Sequence, residues 1–382
     1  MLQIQFLDYN VIDALVPAIS LEPQHIIFIY DSKKITKKYT NNIEKALRAH
    51  LGGVSIGFVD ADMYKISEIK SRILDVVADF KDERICIDIT GGSEIMTAVG
   101  FALGYKKGYQ IIYTNLAKST IFDVIKEKKV ADVKNITIND YLIAIGAKRS
   151  KDSHPLPKKS EYYRVCNVAE YLFKHIYAWH ALQKFLANRC AKSDSLSFNI
   201  TTDITFEGKS YKSKDILDIF VQNGFVARTG HNSYKFTSAN NRIHMMNFGV
   251  WLEMYIYIKG QDFFDEIYLG VTLDWDNVDM DDTRDNEIDV IAFRKSIPVF
   301  ISCKMKKPDA KDIYEVAYLA DRLGGSESKA IIATTYNVSR EKDNTAGLYQ
   351  RFKKMNVGFI EIDSFMTHDP ASVFNTAIQI SL

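Results

Sequence analysis

The chain has 382 residues, of which 47% are hydrophobic and 25% charged, and its formal net charge is +1. This length and balance predict a globular protein of two or three domains. The near-zero charge excludes nucleic-acid binding through overall charge, so any such surface must be local. The four cysteines lack metal-binding spacing, which excludes a zinc ribbon or a disulfide framework. Because the sequence shows no leader and no membrane-spanning run, we expect a cytoplasmic protein.

Strand-like and helix-like segments alternate along residues 1–146. The apolar strand candidates are LQIQFL (2–7), HIIFIY (25–30), VSIGFV (54–59), RICIDI (84–89) and YQIIYT (109–114). Near-continuous apolar strands separated by helices are typical of a parallel sheet covered on both faces. Residues 1–146 are therefore predicted to form a doubly wound α/β domain, and STIFDVIKEKKVADVKN is predicted to close it as a β-hairpin.

A pair of glycines follows the fourth of these strands, in CIDITGGSEIMTAVGF (86–101). The strand is predicted to end at Thr90, and an apolar-periodic helix follows Gly91 and Gly92. Glycines at such a turn let the backbone approach a ligand, and the amides at the helix start favour phosphate. A tight turn with Ser93 as the helix N-cap explains the same residues without a ligand.

The segment AKRSKDSHPLPKKS (147–160) is polar and contains two prolines, which predicts a linker. Residues 161–248 are predicted to be rich in helix. Within them, a helix that ends at Gly224 precedes a short hairpin that turns at Gly230, which is the pattern of a winged helix. Winged helices read DNA, and they also serve as spacers or dimerisation units, so the pattern leaves these roles open.

Residues 249–382 are predicted to form a second α/β domain, with a solvated acidic loop at 274–285. After this loop the chain reads NEIDVIAFRKSIPVFISCK (286–304). Alternation along a strand places Glu287 and Asp289 on one face, and Ser302 and Lys304 share a face of the next strand. FRKS is short enough to turn the strands antiparallel, so the two polar faces can meet. A solvated outer face or a half-buried salt bridge is the simpler interpretation.

Adjacent carboxylates repel each other unless a cation lies between them, and hard oxygen ligands select Mg²⁺ or Mn²⁺. Such an ion polarises a phosphoryl oxygen and generates hydroxide near neutral pH. A neighbouring lysine stabilises the charge that develops in the transition state. Cleavage of a phosphodiester is therefore the chemistry that this pattern favours.

The two strands resemble the PD-(D/E)xK nucleases, which carry an acidic residue on one strand and (D/E)xK on the next. Asp289 matches the first acidic residue and Lys304 the lysine, whereas Ser302 stands where the second acid is expected. The resemblance implies that Glu287, on the same face as Asp289, supplies the missing carboxylate. This departure affects the ligand set more than the reaction class.

The same resemblance implies roles for three further residues. Glu253, in FGVWLEMY, matches a helix-borne glutamate that these nucleases place beside the metal. The backbone carbonyl of Cys303 matches a further metal ligand, while its thiol is predicted to be buried and unreactive. Glu315, on the following helix, is a candidate for a residue that contacts the metal ligands without binding the metal itself. Mg²⁺ or Mn²⁺ is the implied cofactor.

The glycine loop resembles the DxTGGTxxM-type loop of CARF domains, which bind cyclic oligoadenylates made by type III CRISPR complexes. The matching residues are Thr90, Gly91, Gly92, Ser93 and Met96, with Asp88 as the leading acid. Ser93 and Glu94 stand where many members have Thr-Lys, which removes a cation near a phosphate. By position after their strands, the residues expected to rim the same pocket are Asp8, Tyr9, Asn10, Asp31, Ser32, Thr114 and Asn115.

The resemblance extends over the chain to the nucleases of type III CRISPR systems that cyclic tetra-adenylate activates. It implies a Rossmann-like CARF domain (1–146), a linker (147–160), a winged-helix-like middle (161–248) and a restriction-endonuclease-like α/β domain (249–382). The resemblance also implies a homodimer that binds the ring. It implies that this homodimer cleaves or nicks DNA, with single-stranded RNA as a further substrate.

Two other hypotheses stay open. In the first, the protein is a ligand-responsive DNA-binding regulator with an inactive nuclease domain, which Ser302 in place of an acid favours. In the second, the CARF domain hydrolyses its own ring ligand, for which Glu94 is the evident acid–base candidate near the glycine loop.

Overall fold

A computed structural model describes residues 1–149, 155–190, 194–273, 286–325, 327–337 and 346–380. The predicted acidic loop at 274–285 and residues 150–154 of the predicted linker lie outside these ranges. No helix within the described ranges is both long and apolar enough to cross a membrane.

The N-terminal domain is built on a seven-stranded sheet in the order β3-β2-β1-β4-β5-β6-β7. Its strands are β1 (Leu2–Phe6), β2 (His25–Tyr30), β3 (Ser55–Asp60), β4 (Ile85–Asp88), β5 (Gln110–Asn115), β6 (Thr120–Asp123) and β7 (Lys128–Asp132). Its helices are α1 (Val11–Leu21), α2 (Lys37–His50), α3 (Ile66–Asp79), α4 (Glu94–Lys107) and α5 (Ile138–Ile145). Strands β1 to β5 pair in parallel, and the β6–β7 hairpin is antiparallel. This mainly parallel sheet is consistent with the predicted Rossmann-like domain.

Helices on both faces bury the central strand β1 along its whole length. Two apolar clusters form, one against α3 and α4 and the other against α1, α2 and α5. Because the sheet is covered on both sides, the ends of its strands are the parts of its backbone that a ligand can reach.

The middle of the chain begins with a short strand, β8 (Lys148–Arg149), and a 3₁₀ turn at Lys159–Glu161. The elements that follow are α6 (Tyr162–Lys174), α7 (Ile176–Cys190), β9 (Ser197–Asn199), β10 (Asp203–Phe206), β11 (Lys209–Lys212), α8 (Ser213–Gln222), β12 (Val226–Arg228), β13 (Ser233–Phe236) and α9 (Ala239–Met246). The β12–β13 hairpin directly follows helix α8, and β9 pairs antiparallel with β13 as a third strand. A helix followed by such a hairpin is what the winged-helix interpretation requires, and that interpretation stays a prediction.

The C-terminal domain is a second α/β unit around a six-stranded sheet. Its elements are α10 (Val250–Gly260), β14 (Glu266–Leu273), β15 (Asn286–Arg294), β16 (Ile297–Lys304), α11 (Ala310–Gly324), β17 (Lys329–Thr334), α12 (Ala346–Lys354), β18 (Val357–Glu361), α13 (Ser364–Thr367) and α14 (Pro370–Ile380). The strand order is β18-β17-β16-β15-β14-β8. Strand β15 pairs antiparallel with both β14 and β16, whereas β16, β17 and β18 pair in parallel.

The predicted linker is in part a structural element. Strand β8, at 148–149, pairs antiparallel with β14 and forms one edge of the C-terminal sheet. Its sequence gave no signal for this, because a two-residue strand has no periodicity and its partner lies more than a hundred residues later.

Helix α5 joins the N-terminal domain to the C-terminal sheet. The ring of Tyr141 is buried, with its centroid 5.4 Å from that of Phe293 and 6.4 Å from that of Phe300. The amide of Ile138, at the start of α5, donates to Oε2 of Glu266 over 2.7 Å. One apolar cluster includes side chains of α1, α2, α5 and the C-terminal sheet. The two α/β domains therefore share a packed core in addition to the covalent connection.

Candidate functional sites

The glycine loop gathers the carboxyl ends of three strands of the N-terminal sheet. Gly92 N–H donates to Oδ2 of Asp8, which follows β1, over 2.9 Å. Thr90 N–H donates to Oδ1 of Asp88, the last residue of β4, also over 2.9 Å. The hydroxyl oxygen of Thr90 accepts from the amide of Thr114 on β5 over 2.9 Å. The structure thus brings together residues that the sequence predicts for one pocket.

The two glycines are required by packing inside the protein. A Cβ on Gly92, whose φ is +93°, would lie 2.3 Å from Cβ of Phe6. A Cβ on Gly91 would lie 3.0 Å from Cβ of Asp13 and 3.1 Å from the carbonyl oxygen of Phe6. The sequence interpretation assigned the glycines to the approach of a ligand. In the structure, the close approach is between the loop and the end of β1.

The helix α4 begins as expected, with Ser93 as its N-cap. Oγ of Ser93 accepts from the amide of Met96 over 3.3 Å, and Glu94 is exposed in the first turn. The side chain of Met96 is only 1% exposed and packs in the core between α3 and α4. The contact of Met96 with a ligand stays a prediction, and in the structure its side chain belongs to this core.

Asn10 extends the loop network to helix α1. Its amide donates to Oδ1 of Asp8 over 2.7 Å, and its side chain caps α1 by accepting from Ile12 N–H. The side-chain amide of Asn10 donates to Oδ2 of Asp13 over 2.9 Å. Asp13 was missed by sequence reasoning, although its place one helical turn after a capping asparagine was a usable signal. Tyr9 is 53% exposed beside this network, and its hydroxyl donates to the carbonyl of Lys34.

The remaining pocket candidates lie on either side of the glycine loop. Asp31 is buried after β2, where its Oδ2 accepts from the amide of Met63 over 3.1 Å. The amide of Ser32 donates to Asp60, the last residue of β3, over 2.7 Å. At the end of β5, Asn115 holds its own turn through Oδ1. The network around Asp31 and Ser32 therefore lies at the carboxyl ends of β2 and β3.

The carboxyl groups under the loop are hard to ionise. Burial raises the pKa of Asp88 to about 6, against the opposing effect of its hydrogen bonds from Thr90 and Gln3. Burial likewise raises the pKa of Asp8. It raises the pKa of Asp13 well above the usual value, and the charges of Asp8 and Asp88 add to this effect. Burial therefore disfavours negative charge on all three carboxyl groups.

The second candidate site lies where strands β15 and β16 separate. Their backbone pairing extends from Arg294 opposite Ile297 to Val290 opposite Ile301. Beyond it, Asp289 bridges to β16 through its side chain: Oδ2 accepts from the amide of Cys303 over 2.6 Å. Oδ2 also accepts from the hydroxyl of Ser302 over 3.3 Å. Ser302 and Cys303 thereby fix the orientation of the Asp289 carboxylate.

The predicted polar residues line one cavity of about 50 Å³ at this point. Side chains from β15, β16 and α11 contribute to its wall, among them Glu287, Asp289, Ser302, Lys304 and Glu315. Strand alternation therefore delivers both polar faces to the same place, as the spacing predicts.

Helix α10 places Glu253 near Asp289 and Glu287, and this side chain is 8% exposed. Burial raises the pKa of Glu253 well above its usual value, and the charges of Asp289 and Glu287 raise it further. Burial also raises the pKa of Asp289, although the N–H of Cys303 and the charge of Lys304 oppose this. The three carboxyl groups are thus close enough to repel one another electrostatically.

Lys304 supplies the positive charge of the site. Burial alone would lower its pKa, but the carboxylates of Asp289, Asp312 and Glu315 outweigh that effect and raise it. Its Nζ lies 3.5 Å from Oδ1 of Asp312 on helix α11. Sequence reasoning missed Asp312, although its place three residues after Asp309 is the spacing of a capping box.

The donor set fits a divalent cation by its chemistry. Carboxylate oxygens are the ligands that Mg²⁺ and Mn²⁺ prefer, and a cation would relieve the repulsion that adds to burial in raising the pKa values of Glu253 and Asp289. Within the described ranges, no group of three or more His, Cys, Asp or Glu residues is arranged closely enough to hold a metal ion. The carboxylates would have to move closer together to form such a site. The thiol of Cys303 is buried and its pKa is raised by that burial, which fits the packing role predicted for it.

Comparisons with known proteins place these sites in context. Residues 10–141 match the family model of the Card1 CARF domain. No curated protein sequence matches the chain. The crystal structure of protein VC1899 from Vibrio cholerae is similar at a TM-score of 0.77 and 17% identity, over 100% of this chain and 98% of that one.

Two other solved structures share the fold. Can2 from Sulfobacillus thermosulfidooxidans, in complex with cyclic tetra-adenylate, matches at a TM-score of 0.68 and 17% identity, over 100% of this chain and 99% of that one. A type III CRISPR defence DNA nuclease activated by cyclic oligoadenylate matches at a TM-score of 0.52 and 12% identity, over 87% of this chain and 45% of that one. Residues 10–141 of this chain are thus similar to the Card1 CARF domain, and the chain as a whole has the fold of VC1899 and Can2.

Proposed function

We propose that this protein is a metal-dependent endonuclease of type III CRISPR antiviral defence, which cyclic tetra-adenylate activates and which cleaves or nicks DNA. The observation that carries the proposal is the presence, in one chain, of a Card1-type CARF domain and of a cavity lined by Glu287, Asp289 and Lys304. Single-stranded RNA is proposed as a further substrate. The domain boundaries proposed for this activity are 1–146, 161–248 and 249–382, with 147–160 between the first two.

The glycine loop is the proposed contact with the activator. The loop lies at the N-terminal end of α4, where the positive end of the helix favours phosphates, while the amide of Gly92 itself donates to Asp8. A cyclic tetranucleotide has two-fold symmetry, so two copies of the loop in a homodimer can bind one ring. Thr90, with Asp8 and Asn10 behind the loop, would hold its conformation during binding.

The residues of the second site have separate tasks in the proposed cleavage. Asp289, oriented by the amide of Cys303, would ligate Mg²⁺ or Mn²⁺ together with Glu287, Glu253 and the carbonyl of Cys303. The ion, when bound, supplies a water of lowered pKa and polarises the scissile phosphoryl group. Lys304 places its ammonium at the cavity to stabilise the negative charge that develops on the phosphate.

Contacts between the two α/β domains give the activator a route to the cleavage site. A Cβ on Gly325, the C-cap residue of α11, would lie 2.5 Å from Nδ2 of Asn10, so the two residues are in close contact. The same helix α11 carries Asp312 and Glu315 at its other end, beside Lys304. Activation requires that the ring bind the active arrangement more tightly than the idle one.

A plasmid-nicking assay tests the proposal. The purified protein is incubated with supercoiled DNA in Mg²⁺ or Mn²⁺, with and without cyclic tetra-adenylate, beside a Lys304→Ala variant. We expect nicking that depends on the ring and that Lys304→Ala abolishes. Equal nicking with and without the ring, or full activity of the variant, contradicts the proposal. Single-stranded RNA in the same assay tests the second substrate.

A ring-responsive DNA-binding regulator is the second candidate function. Ser302 in place of an acid favours it, because its hydroxyl donates to Asp289 instead of adding a carboxylate to the donor set. Sequence-specific retention of a DNA fragment, without cleavage in Mn²⁺, is the result that would support the regulator.

A further inference from the structure

Asp312 lies at the start of helix α11 and is only 7% exposed. It forms a capping box with Asp309. The amide of Asp312 donates to Oδ1 of Asp309 over 3.0 Å, and the amide of Asp309 donates to Oδ2 of Asp312 over 2.9 Å. These two bonds satisfy amides that the first turn of a helix leaves without partners. The carboxylate is thereby fixed in place by the backbone.

The other oxygen of Asp312 points to a second task. Oδ1 lies 3.5 Å from Nζ of Lys304, whereas the capping bond uses Oδ2. Oδ2 also lies 3.5 Å from Nζ of the exposed Lys306. An asparagine at this position would keep the capping bond, so capping alone does not require the charge of a carboxylate.

Lysine needs such a partner because its ammonium ends a flexible stem with several rotatable bonds. Asp289, another carboxylate near Lys304, is a proposed metal ligand, so its charge would be shared with the ion. Asp312 is held by the helix N-terminus, where the helix dipole favours a negative charge. It can therefore hold the ammonium of Lys304 while Asp289 is engaged.

We infer that Asp312 is a positioning residue, which holds the ammonium of Lys304 at the cavity in the orientation needed for phosphodiester cleavage. The inference rests on the proposed nuclease function. Asp312 acts through Lys304, and its effect therefore falls on the rate of the chemical step and not on the binding of DNA.

Substitutions at the capping box separate positioning from capping. Asp312→Asn keeps the acceptor for Asp309 N–H and removes the charge, Asp312→Glu keeps a charge, and Asp309→Asn is the matched control that keeps the contact with Lys304. The measurements are kcat and KM for ring-activated nicking, with the free energy of unfolding of each variant. We expect Asp312→Asn to lower kcat on the order of 10-fold with KM unchanged, Asp312→Glu to recover part of the loss, and Asp309→Asn to keep the kcat of the wild type.

Several outcomes overturn the inference. A wild-type kcat in Asp312→Asn shows that the charge of Asp312 is not needed. Equal losses of kcat in Asp312→Asn and Asp309→Asn show that the capping box affects cleavage only by stabilising helix α11. If the wild-type protein itself cleaves nothing in either metal with the ring present, the proposed function has failed, and the inference fails with it. Activity of the wild type thus separates the two failures.

Discussion

Replacement of Gly92 by alanine tests the structural explanation of the glycine loop. The new methyl group would have to occupy a point 2.3 Å from Cβ of Phe6, on a backbone with φ of +93°. Neither atom is at the end of a flexible side chain, so the loop or strand β1 must shift. Gly108 offers a matched control, because its φ is +73° and nothing lies within 4 Å of an added Cβ.

The expected cost has two parts. A non-glycine residue in the left-handed region costs about 1–2 kcal/mol, and this part applies to both variants. Forcing a methyl group into a packed site costs about 1–3 kcal/mol more, and this part applies to Gly92→Ala alone. We therefore expect Gly92→Ala to destabilise the N-terminal domain by about 2–5 kcal/mol and Gly108→Ala by about 1–2 kcal/mol.

The measurement must report on the N-terminal domain. All three tryptophans of the chain follow residue 178, so tryptophan fluorescence would not detect this unfolding. Hydrogen exchange of peptides from β1 and β4, read by mass spectrometry, gives the opening free energy of the strands directly. If Gly92→Ala and Gly108→Ala lower this opening free energy equally, the contact with Phe6 does not destabilise the variant, and the packing explanation is wrong.

Three further predictions concern the buried charges and the contact between domains. The pKa of Asp88 is raised to about 6 in the folded state, so its contribution to stability is complete below pH 3.8 and is lost as pH rises through about 6, a change of about 3 kcal/mol. In urea unfolding across this range, the free energy of unfolding of Asp88→Asn should fall less with pH than that of the wild type. An identical slope for the two proteins would contradict the assignment. Gly325→Ala should strain its turn, whose φ is +65°, and should reduce the ring-dependent stimulation of nicking several-fold, because the added Cβ also pushes on Asn10. Unaltered stimulation would argue against this contact as a route. Glu253→Gln should raise the melting temperature in metal-free buffer, because it removes a buried carboxyl group that Asp289 and Glu287 repel. Mn²⁺ should raise the melting temperature of the variant less than that of the wild type. An equal effect of Mn²⁺ on both proteins would exclude Glu253 as a ligand.

Local patterns determined much of the fold and part of the candidate sites. Apolar runs separated by helices predict the parallel N-terminal sheet, since burial on both faces leaves that signature in each strand. The N-cap role of Ser93 follows from residues within one turn of the helix. Alternation along β15 and β16 predicts that Glu287, Asp289 and Lys304 meet, because the spacing of two residues sets which face each side chain occupies.

Contacts between residues far apart in the sequence were decided by the tertiary structure. The packing of Gly92 on Phe6, the burial of Met96 and the pairing of β8 with β14 depend on the order of strands in the sheets. The ion pair between Asp312 and Lys304 depends on how α11 packs on β16. Periodicity and capping act over a few residues, so they leave their pattern in the sequence, whereas strand order and packing angle are set by the shared core and leave none.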